Sequence, residues 1–303
     1  MKAVVKKLIN WLTHPIKIHD FLFNYWGKML PDKLYLEILC KRRLGYWINL
    51  KTPKTFNEKL QWLKLYNHKP QYVIMADKYL VKQYVKNIVG DYYVVPCLGV
   101  WDDANDIDFS KLPDKFVLKC NHNSGGGMCI CKDKNTLNQD ECRKALNEAK
   151  KLGYYYQGRD KQYRDINIKI IADTFLDDHR EGELQDYKFW CFDGVPTFMY
   201  MTNKGQHIYE NFYDMSFNPI EIQHGSPRMI PEYTKPAEFD EMKEIATKLS
   251  QGLPFVRVDF FDIDGHVYFG EFTFFDWGGL KAFNSYEMDL ELGRYIHLPI
   301  ENQ

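Results

Sequence analysis

Residues Phe255–Gly279 read FVRVDFFDIDGHVYFGEFTFFDWGG. Two runs rich in Phe and Val, Phe255–Phe261 and Val267–Phe275, flank Asp262-Ile263-Asp264-Gly265-His266. That centre is a turn sequence with glycine where positive φ is needed, so the stretch is predicted to be a β-hairpin. Arg257, Asp259, Glu271 and Thr273 interrupt the otherwise apolar strands. Alternation puts Arg257 with Asp259 on one face of the first strand, and Glu271 with Thr273 on one face of the second. Loop parity decides whether the two faces coincide. A two-residue loop, Asp264-Gly265, would pair residue 259 with 270 and turn Glu271 away. A three-residue loop, Ile263-Asp264-Gly265, closing in a G1 bulge pairs 257 with 271 and 259 with 269, and brings all four side chains together. We expect the three-residue form. Two carboxylates on one face repel unless a cation lies between them. Arg257 can serve, giving a buried Arg–carboxylate network. Mg²⁺ shared with phosphate oxygens serves better.

The rest of the composition narrows the class. A chain of 303 residues with net charge −1 has room for one large domain or a few subdomains, and no basic field for nucleic acid. Seven cysteines without a CxxC spacing predict free thiols and a reducing compartment, and Cys129 with Cys131 lack the second ligand pair that zinc needs. No apolar run is long enough to cross a bilayer, and no secretory signal is evident. A cytoplasmic protein is expected.

Residues 1–30 stand apart: Lys2, Lys6, Lys7, Lys17 and Lys28 face one acid, Asp20, beside Trp11, Phe21, Phe23 and Trp26. Such a basic amphipathic segment either lies on an anionic inner membrane leaflet or packs as an ordinary helix. Residues 31–90 read as helical, with helices opening at Pro31-Asp32, at Thr55–Glu58 and at Asp77. From residue 91 strands dominate: Tyr93–Val100, Lys115–Asn121, Met128–Lys132, Ile166–Phe175, and a hairpin of Asp186–Phe192 with Thr197–Thr202 around Asp193-Gly194. Helices are expected at Leu137–Leu152, Ala237–Leu253 and Leu290–Ile296. We divide the chain into 1–30, 31–90, 91–165 with a glycine-rich loop, and 166–303 with the acidic hairpin.

Three further pieces carry chemistry. Lys119 ends a strand that runs into Ser124-Gly125-Gly126-Gly127, where successive backbone N–H groups can close on an anion; the spacing fits neither GxxxxGK[ST] nor GxGxxG. A plain β-turn is the simpler reading of the glycines. Asp186-Tyr187-Lys188 places an acid and a lysine on one strand face, suited to a ribose hydroxyl and a phosphate, or to a surface ion pair. Asp173-Thr174-Phe175-Leu176 closes the apolar strand Ile166–Ala172.

In this order the pieces resemble the ATP-grasp superfamily, and more closely its TupA-like branch, associated with teichuronopeptide and capsular polysaccharide gene products. The segments FNEKLQWLKLY (56–66), ADKYLVKQYV (76–85), LPDKFVLKCNHNSGGG (112–127), DYKFWCFDG (186–194) and FVRVDFFDIDG…YFGEFTFF (255–275) carry the likeness over about residues 35–298. The resemblance implies an α+β ATP-grasp fold, two α+β subdomains sandwiching ATP, preceded by a helical N-terminal region. It implies that Lys119 and Lys188 contact ATP phosphates under a mobile Ser124–Gly127 loop. Asp173, Thr174 and Leu176 would line the adenine hinge and Asp186 the ribose. Asp259 and Glu271 would bind Mg²⁺, and Arg257 would steady the transferring phosphoryl group. Two departures are that Thr273 stands where the superfamily usually has Asn, and Asp173 where it usually has Glu.

The reading is an ATP-dependent carboxylate–amine ligase of surface-polysaccharide synthesis, working through an acylphosphate on a carboxylate-bearing sugar or glycan and an amine. Its rivals are a sugar kinase on the same scaffold, a glycosyltransferase, suggested by the DxD of Asp262-Ile263-Asp264, and a non-catalytic nucleotide-binding protein, against which intact Asp259, Glu271, Lys119 and Lys188 argue. Beyond Glu271, Gly278, Gly279 and Lys281 suit an incoming carboxylate, and Trp277 suits a sugar ring or the core.

Overall fold

The structure is a computed structural model that describes residues 27–123, 126–179, 184–204, 208–230 and 232–299. Two compact units divide the chain, Met1–Ile48 and Asn49–Gln303. In the first, helix α1 (Asp32–Leu44) starts after Pro31 and stops at Gly45, whose φ of 85° lets its N–H donate to the Lys41 carbonyl at 3.2 Å. Tyr35, Leu36, Leu39 and Cys40 form its buried face. Residues 1–26, where most of the basic amphipathic segment falls, lie outside the described residues.

The second unit opens with three helices, α2 (Phe56–Tyr66), α3 (Pro70–Ala76) and α4 (Leu80–Val89). A capping box starts α2: Thr55 Oγ1 accepts from the Glu58 N–H at 3.1 Å, and the Glu58 carboxylate accepts from the Thr55 N–H at 3.1 Å. The Thr55 signal opens α2 as expected, whereas the helix expected to open at Asp77 starts at Leu80 and is preceded by a separate helix, Pro70–Ala76, that is not among those expected.

Two antiparallel sheets follow. The smaller has the order β1-β4-β2-β3, from Cys97–Trp101, Phe116–Cys120, Cys129–Cys131 and Ile170–Thr174. It packs with α5 (Gln139–Lys150) around a core of its own that includes Phe116, Leu118, Leu146 and Ile170. A single turn of helix, α6 (Tyr155–Gly158), leads on to β4. The larger sheet has the order β10-β9-β5-β6-β7-β8. Its strands are β5 (Tyr187–Phe192), β6 (Val195–Lys204), β7 (Ile208–Tyr213), β8 (Pro219–Ile220), β9 (Phe255–Ile263) and β10 (His266–Thr273). Helices α7 (Phe239–Leu249) and α8 (Tyr286–Gly293) complete the unit. Phe239, Met242, Ile245, Ala246 and Leu249 on α7 join Phe189, Val258 and Phe260 in the large core. Strand β5 is buried at every position, which explains why YKFWCF lacks alternation.

The hairpin loop corrects the expectation. Asp264 (φ 54°) and Gly265 (φ 80°) form a two-residue turn with both residues at positive φ, and His266 pairs with Ile263. Pairing runs through Phe269 opposite Phe260, and then a bulge at Gly270 resets it. Glu271 therefore lies opposite Asp259, and Thr273 opposite Arg257. The four polar side chains do share a face, through the bulge rather than through a longer loop. Residue 270 suits glycine because a Cβ there would stand 3.1 Å from the Asp259 carbonyl oxygen and 3.2 Å from the Phe261 ring.

Candidate active site

Strands β5, β9 and β10 lay a row of charges across the large sheet. Lys188 on β5 is opposite Asp259 on β9, which is opposite Glu271 on β10. Lys188 Nζ donates to Asp186 Oδ2 at 2.6 Å and to Asp259 Oδ2 at 3.1 Å, so the DYK pair is a buried cluster rather than a surface one. Arg257 grips Asp259 with two bonds of 2.7 Å, Nε to Oδ1 and Nη2 to Oδ2, and reaches Glu271 Oε1 at 3.5 Å. Its other edge is anchored: Nη1 donates to the Tyr200 hydroxyl at 3.1 Å and to Asp276 Oδ1, while Tyr200 donates to the same Asp276 oxygen at 2.9 Å. A fully buried Asp276 thus aims the guanidinium at the paired acids.

Lys78 supplies a cation that sequence reasoning did not single out. It donates to Glu271 Oε2 at 2.7 Å. Asp77 positions it: this carboxylate accepts from the Tyr79 and Leu80 N–H groups at the start of α4 and from the Asn121 amide, and the Lys78 N–H donates to the Asn121 carbonyl. Burial alone would raise the Glu271 carboxyl, but Lys78 and Arg257 hold it down to about 2. For Lys78 the sign is mirrored, since burial lowers its ammonium and Glu271 outweighs that and raises it. Only the position of Asp77-Lys78 just ahead of a helix hinted at this role.

At the other end, Asp173 on β4 receives Lys119 at 2.8 Å and Lys82 at 3.0 Å. Burial lowers the Lys119 ammonium more than Asp173 raises it, with Lys78 and Lys82 adding to the depression. Between the two sheets runs a slot of about 310 Å³ whose walls include Val95, Val117, Ile130, Asp173, Thr174, Leu176, Asp186 and Phe269. A wider cavity of about 610 Å³ adjoins it, sharing Lys78, Lys119 and Asp186 and reaching Lys188, Arg257, Asp259, Glu271, Thr273, Trp277 and Gly278.

The sequence-derived candidates therefore meet in one place, with stated exceptions. Ser124 and Gly125 lie outside the described residues. Gly126 and Gly127 follow at φ 66° and 61°, and their carbonyls accept from the Asn123 amide at 3.0 and 3.2 Å. A Cβ on Gly127 would stand 2.5 Å from the Ala149 Cβ, so close packing on α5 by itself demands this glycine. Trp277 and Gly278 line the wider cavity; Gly279 and Lys281 are not among its lining residues. The Gly278 N–H is spent on the Phe275 carbonyl at 2.8 Å, and Lys281 Nζ donates to Glu210 Oε1 at 2.7 Å. Gln61 and Lys64 from α2 hold the turn, donating to the Gly278 carbonyl at 3.0 and 2.6 Å. Asp262 of the DxD sequence accepts the Gly265 N–H at 3.0 Å within the hairpin turn.

The donor set fits a hard divalent cation. Asp259 and Glu271 oppose one another, and the Thr273 hydroxyl lies 3.4 Å from Glu271 Oε1. Among the described residues no cluster of three or more Asp, Glu, His or Cys gathers as an all-protein cage. Two carboxylates completed by phosphate oxygens and water is the arrangement that Mg²⁺ adopts.

A model of the TupA-like ATPgrasp family matches residues 58–297. The chain belongs to the TupA-like ATP-grasp family. Solved structures similar to this TupA-like chain include the D-alanine–D-alanine ligase of Helicobacter pylori, at 18% identity and a TM-score of 0.44 over 81% of this chain and 67% of that one. The D-alanine–D-alanine ligase of Bacillus anthracis, complexed with ATP, is 16% identical, with a TM-score of 0.38 over 66% and 53%. The ADP complex of N5-carboxyaminoimidazole ribonucleotide synthetase is 13% identical, with a TM-score of 0.46 over 72% and 50%. The chain thus spans half to two thirds of the length of these ligases. No curated protein matches it. Among the described residues no helix is long and apolar enough to cross a membrane.

Proposed function

We propose that this protein is an ATP- and Mg²⁺-dependent ligase that joins a carboxylate to an amine during surface-polysaccharide synthesis. The observation that carries the reading is the opposed pair Asp259 and Glu271, ringed by Lys78, Lys188 and Arg257, at the junction of an apolar slot and a wider cavity. The slot accepts an adenine, with the backbone of Asp173–Leu176 along its edge and Asp186 placed for the ribose. Lys78, Lys119 and Lys188 then face the phosphates, each exchanging a carboxylate partner for a phosphate oxygen.

Asp259, Glu271 and Thr273 are the residues to hold Mg²⁺, which when bound neutralises charge on the β- and γ-phosphate oxygens. Arg257, kept in aim by Asp276 and Tyr200, stabilises charge on the phosphoryl group in flight. A substrate carboxylate oxygen attacks the γ-phosphorus, the bond to the β-phosphate oxygen breaks, and ADP leaves. The amine then attacks the acyl carbon, phosphate departs, and the amine proton passes to solvent. The protein's contribution is placement and charge neutralisation. Its substrate ATP and its seven free thiols favour a cytoplasmic site of action.

The test is product analysis with MgATP, a panel of sugar acids and amino acids, and hydroxylamine as a trap. ADP, free phosphate and a hydroxamate of the acid are expected. ADP with the phosphate held stably on a sugar hydroxyl would replace the ligase by a kinase. Tight binding of UDP-sugars without binding of ATP would replace it by a glycosyltransferase.

A further inference from the structure

Residues Gly158–Tyr163 read GRDKQY, and their acid is withheld from its ordinary local use. Helix α6 stops at Arg159 (φ 58°), and Asp160 opens a single 3₁₀ turn, Lys161–Tyr163. An aspartate in that place usually caps the turn with its side chain. Asp103, Asp108 and Asp133 each do so in this chain, accepting the N–H two residues on. Asp160 makes no such bond. Its carboxylate turns instead to Lys64 on α2, with Oδ1 2.8 Å from Nζ. The contact is ionic rather than an aligned hydrogen bond, and Oδ1 has no hydrogen-bond partner among the described residues. A Cβ on Gly158 would stand 3.3 Å from that oxygen and 3.4 Å from that ammonium, so the glycine keeps room for the pair.

Lys64 is fully buried and also donates to the Gly158 and Gly278 carbonyls at 2.9 and 2.6 Å. It therefore pins Asp160 beside the Asp276–Gly279 turn. Asp160 lines the 610 Å³ cavity but not the apolar slot, and 19% of its side chain is exposed. The other carboxylates on the cavity wall are spent on cations that line the same cavity. Asp186 faces Lys188, Asp259 faces Lys188 and Arg257, and Glu271 faces Lys78 and Arg257. The counter-ion of Asp160 stands behind the wall, which leaves this acid open to a cation from the cavity. Helix α2 brings Lys64 to it and the 3₁₀ turn brings Tyr163, while Gly158 and Gly278 bring backbone alone. Burial raises the Asp160 carboxyl more than Lys64 lowers it, so it holds a proton better than an ordinary carboxylate does.

An amine arrives near neutral pH as an ammonium ion. Lys78, Lys119, Lys188 and Arg257 repel it, and it cannot attack a carbonyl until a proton is removed. We propose that Asp160 is the catalytic base of the amine half-reaction, binding the substrate ammonium and taking its proton. The neutral nitrogen then attacks the acyl carbon of the acylphosphate. The C–O bond to phosphate breaks, and its electron pair goes to the phosphate oxygen. A second N–H proton leaves with that phosphate, and Asp160 returns the first to solvent. Lys64 is a positioning residue that turns the carboxylate away from its own helical turn. The assignment rests on the ligase reading and names the group that prepares the nucleophile.

The test separates the two half-reactions on the full chain, with MgATP and the acid that yields most hydroxamate from a panel of sugar acids and amino acids. Hydroxylamine is uncharged at neutral pH and needs no base before it attacks, whereas L-alanine and L-lysine present ammonium groups. In Asp160→Asn, amide formation at pH 7 should fall about a hundredfold, while hydroxamate formation stays near the wild-type rate. The amide rate of the variant should climb about tenfold per pH unit as free amine accumulates, whereas that of the wild type stays nearly level. Lys64 without its acid is a buried unpaired charge, so Lys64→Met/Asp160→Asn, which removes both charges, is measured beside it and should behave alike. Calorimetric ADP affinity reports the fold of each. Absence of hydroxamate from the wild type with every acid would defeat the ligase reading. Amide formation unchanged in both variants, or amide and hydroxamate lost together in both, would overturn the assignment of Asp160.

Discussion

His224 links the site to pH. It is 1% exposed, stacks on Phe283 at 4.4 Å between ring centroids, and lies 3.3 Å through Nε2 from the Lys281 carbonyl. Its Nδ1 is 3.8 Å from Asp276 Oδ2, just behind the anchor of Arg257. Burial, only partly offset by Asp276, lowers its pKa from the ordinary 6.5 to about 4. The folded state therefore resists a proton that the unfolded chain accepts. Stability from this group is complete above pH 6.5, falls as the pH drops, and is exhausted near pH 4. The slope is about 1.4 kcal/mol per pH unit, which makes about 2 kcal/mol between pH 6.5 and 5 and about 3 kcal/mol in all. In His224→Gln the amide still reaches the Lys281 carbonyl but does not titrate. Loss of the Phe283 stack should cost this variant about 1 kcal/mol at pH 7.5. Its urea midpoint should then fall less steeply than that of the wild type between pH 6.5 and 5. Parallel acid slopes for the two proteins would refute the argument, because they would mean that His224 charges in the folded state as it does in the unfolded one.

Glu271→Gln should lower ADP release at least about a hundredfold by removing one of two opposed carboxylates, as loss of an electrostatic partner in a closed site does. The fold should persist with a modestly lowered melting temperature, since Gln keeps the shape of a 40% exposed side chain but loses its ion pairs with Lys78 and Arg257; normal turnover would mark Glu271 as structural. Residues 1–30 should carry the protein to anionic liposomes on flotation and release it as salt screens the lysines; equal recovery in the soluble fraction at every salt concentration would favour a packed helix.

Much of the site could be read in the chain because its signals are local. Alternation placed Arg257 with Asp259 and Glu271 with Thr273, and composition marked Asp186-Tyr187-Lys188 as an acid and a lysine on one face. Other parts depend on contacts remote in sequence. Lys78 reaches Glu271 across 193 residues and Tyr200 reaches Asp276 across 76, and no periodicity encodes either pairing. Lys281 suits an anion by residue type and neighbouring glycines, but Glu210 on β7 holds it. Strand β8, Pro219–Ile220, is only two residues long and presents no pattern in the sequence.

By itself, then, the amino-acid sequence determined most of the order of elements, the resemblance to the ATP-grasp family and the residue types that the chemistry requires. These follow from hydrophobic period, turn residues and short motifs, each of which acts over a few neighbours. Only the tertiary structure decided the register of the hairpin. Asp264-Gly265 alone would have turned Glu271 from Asp259, and the bulge at Gly270 turns it back. A strand changes face with every residue, so one extra residue decides which side a carboxylate takes, and that choice is made by close packing against the Asp259 backbone and the Phe261 ring.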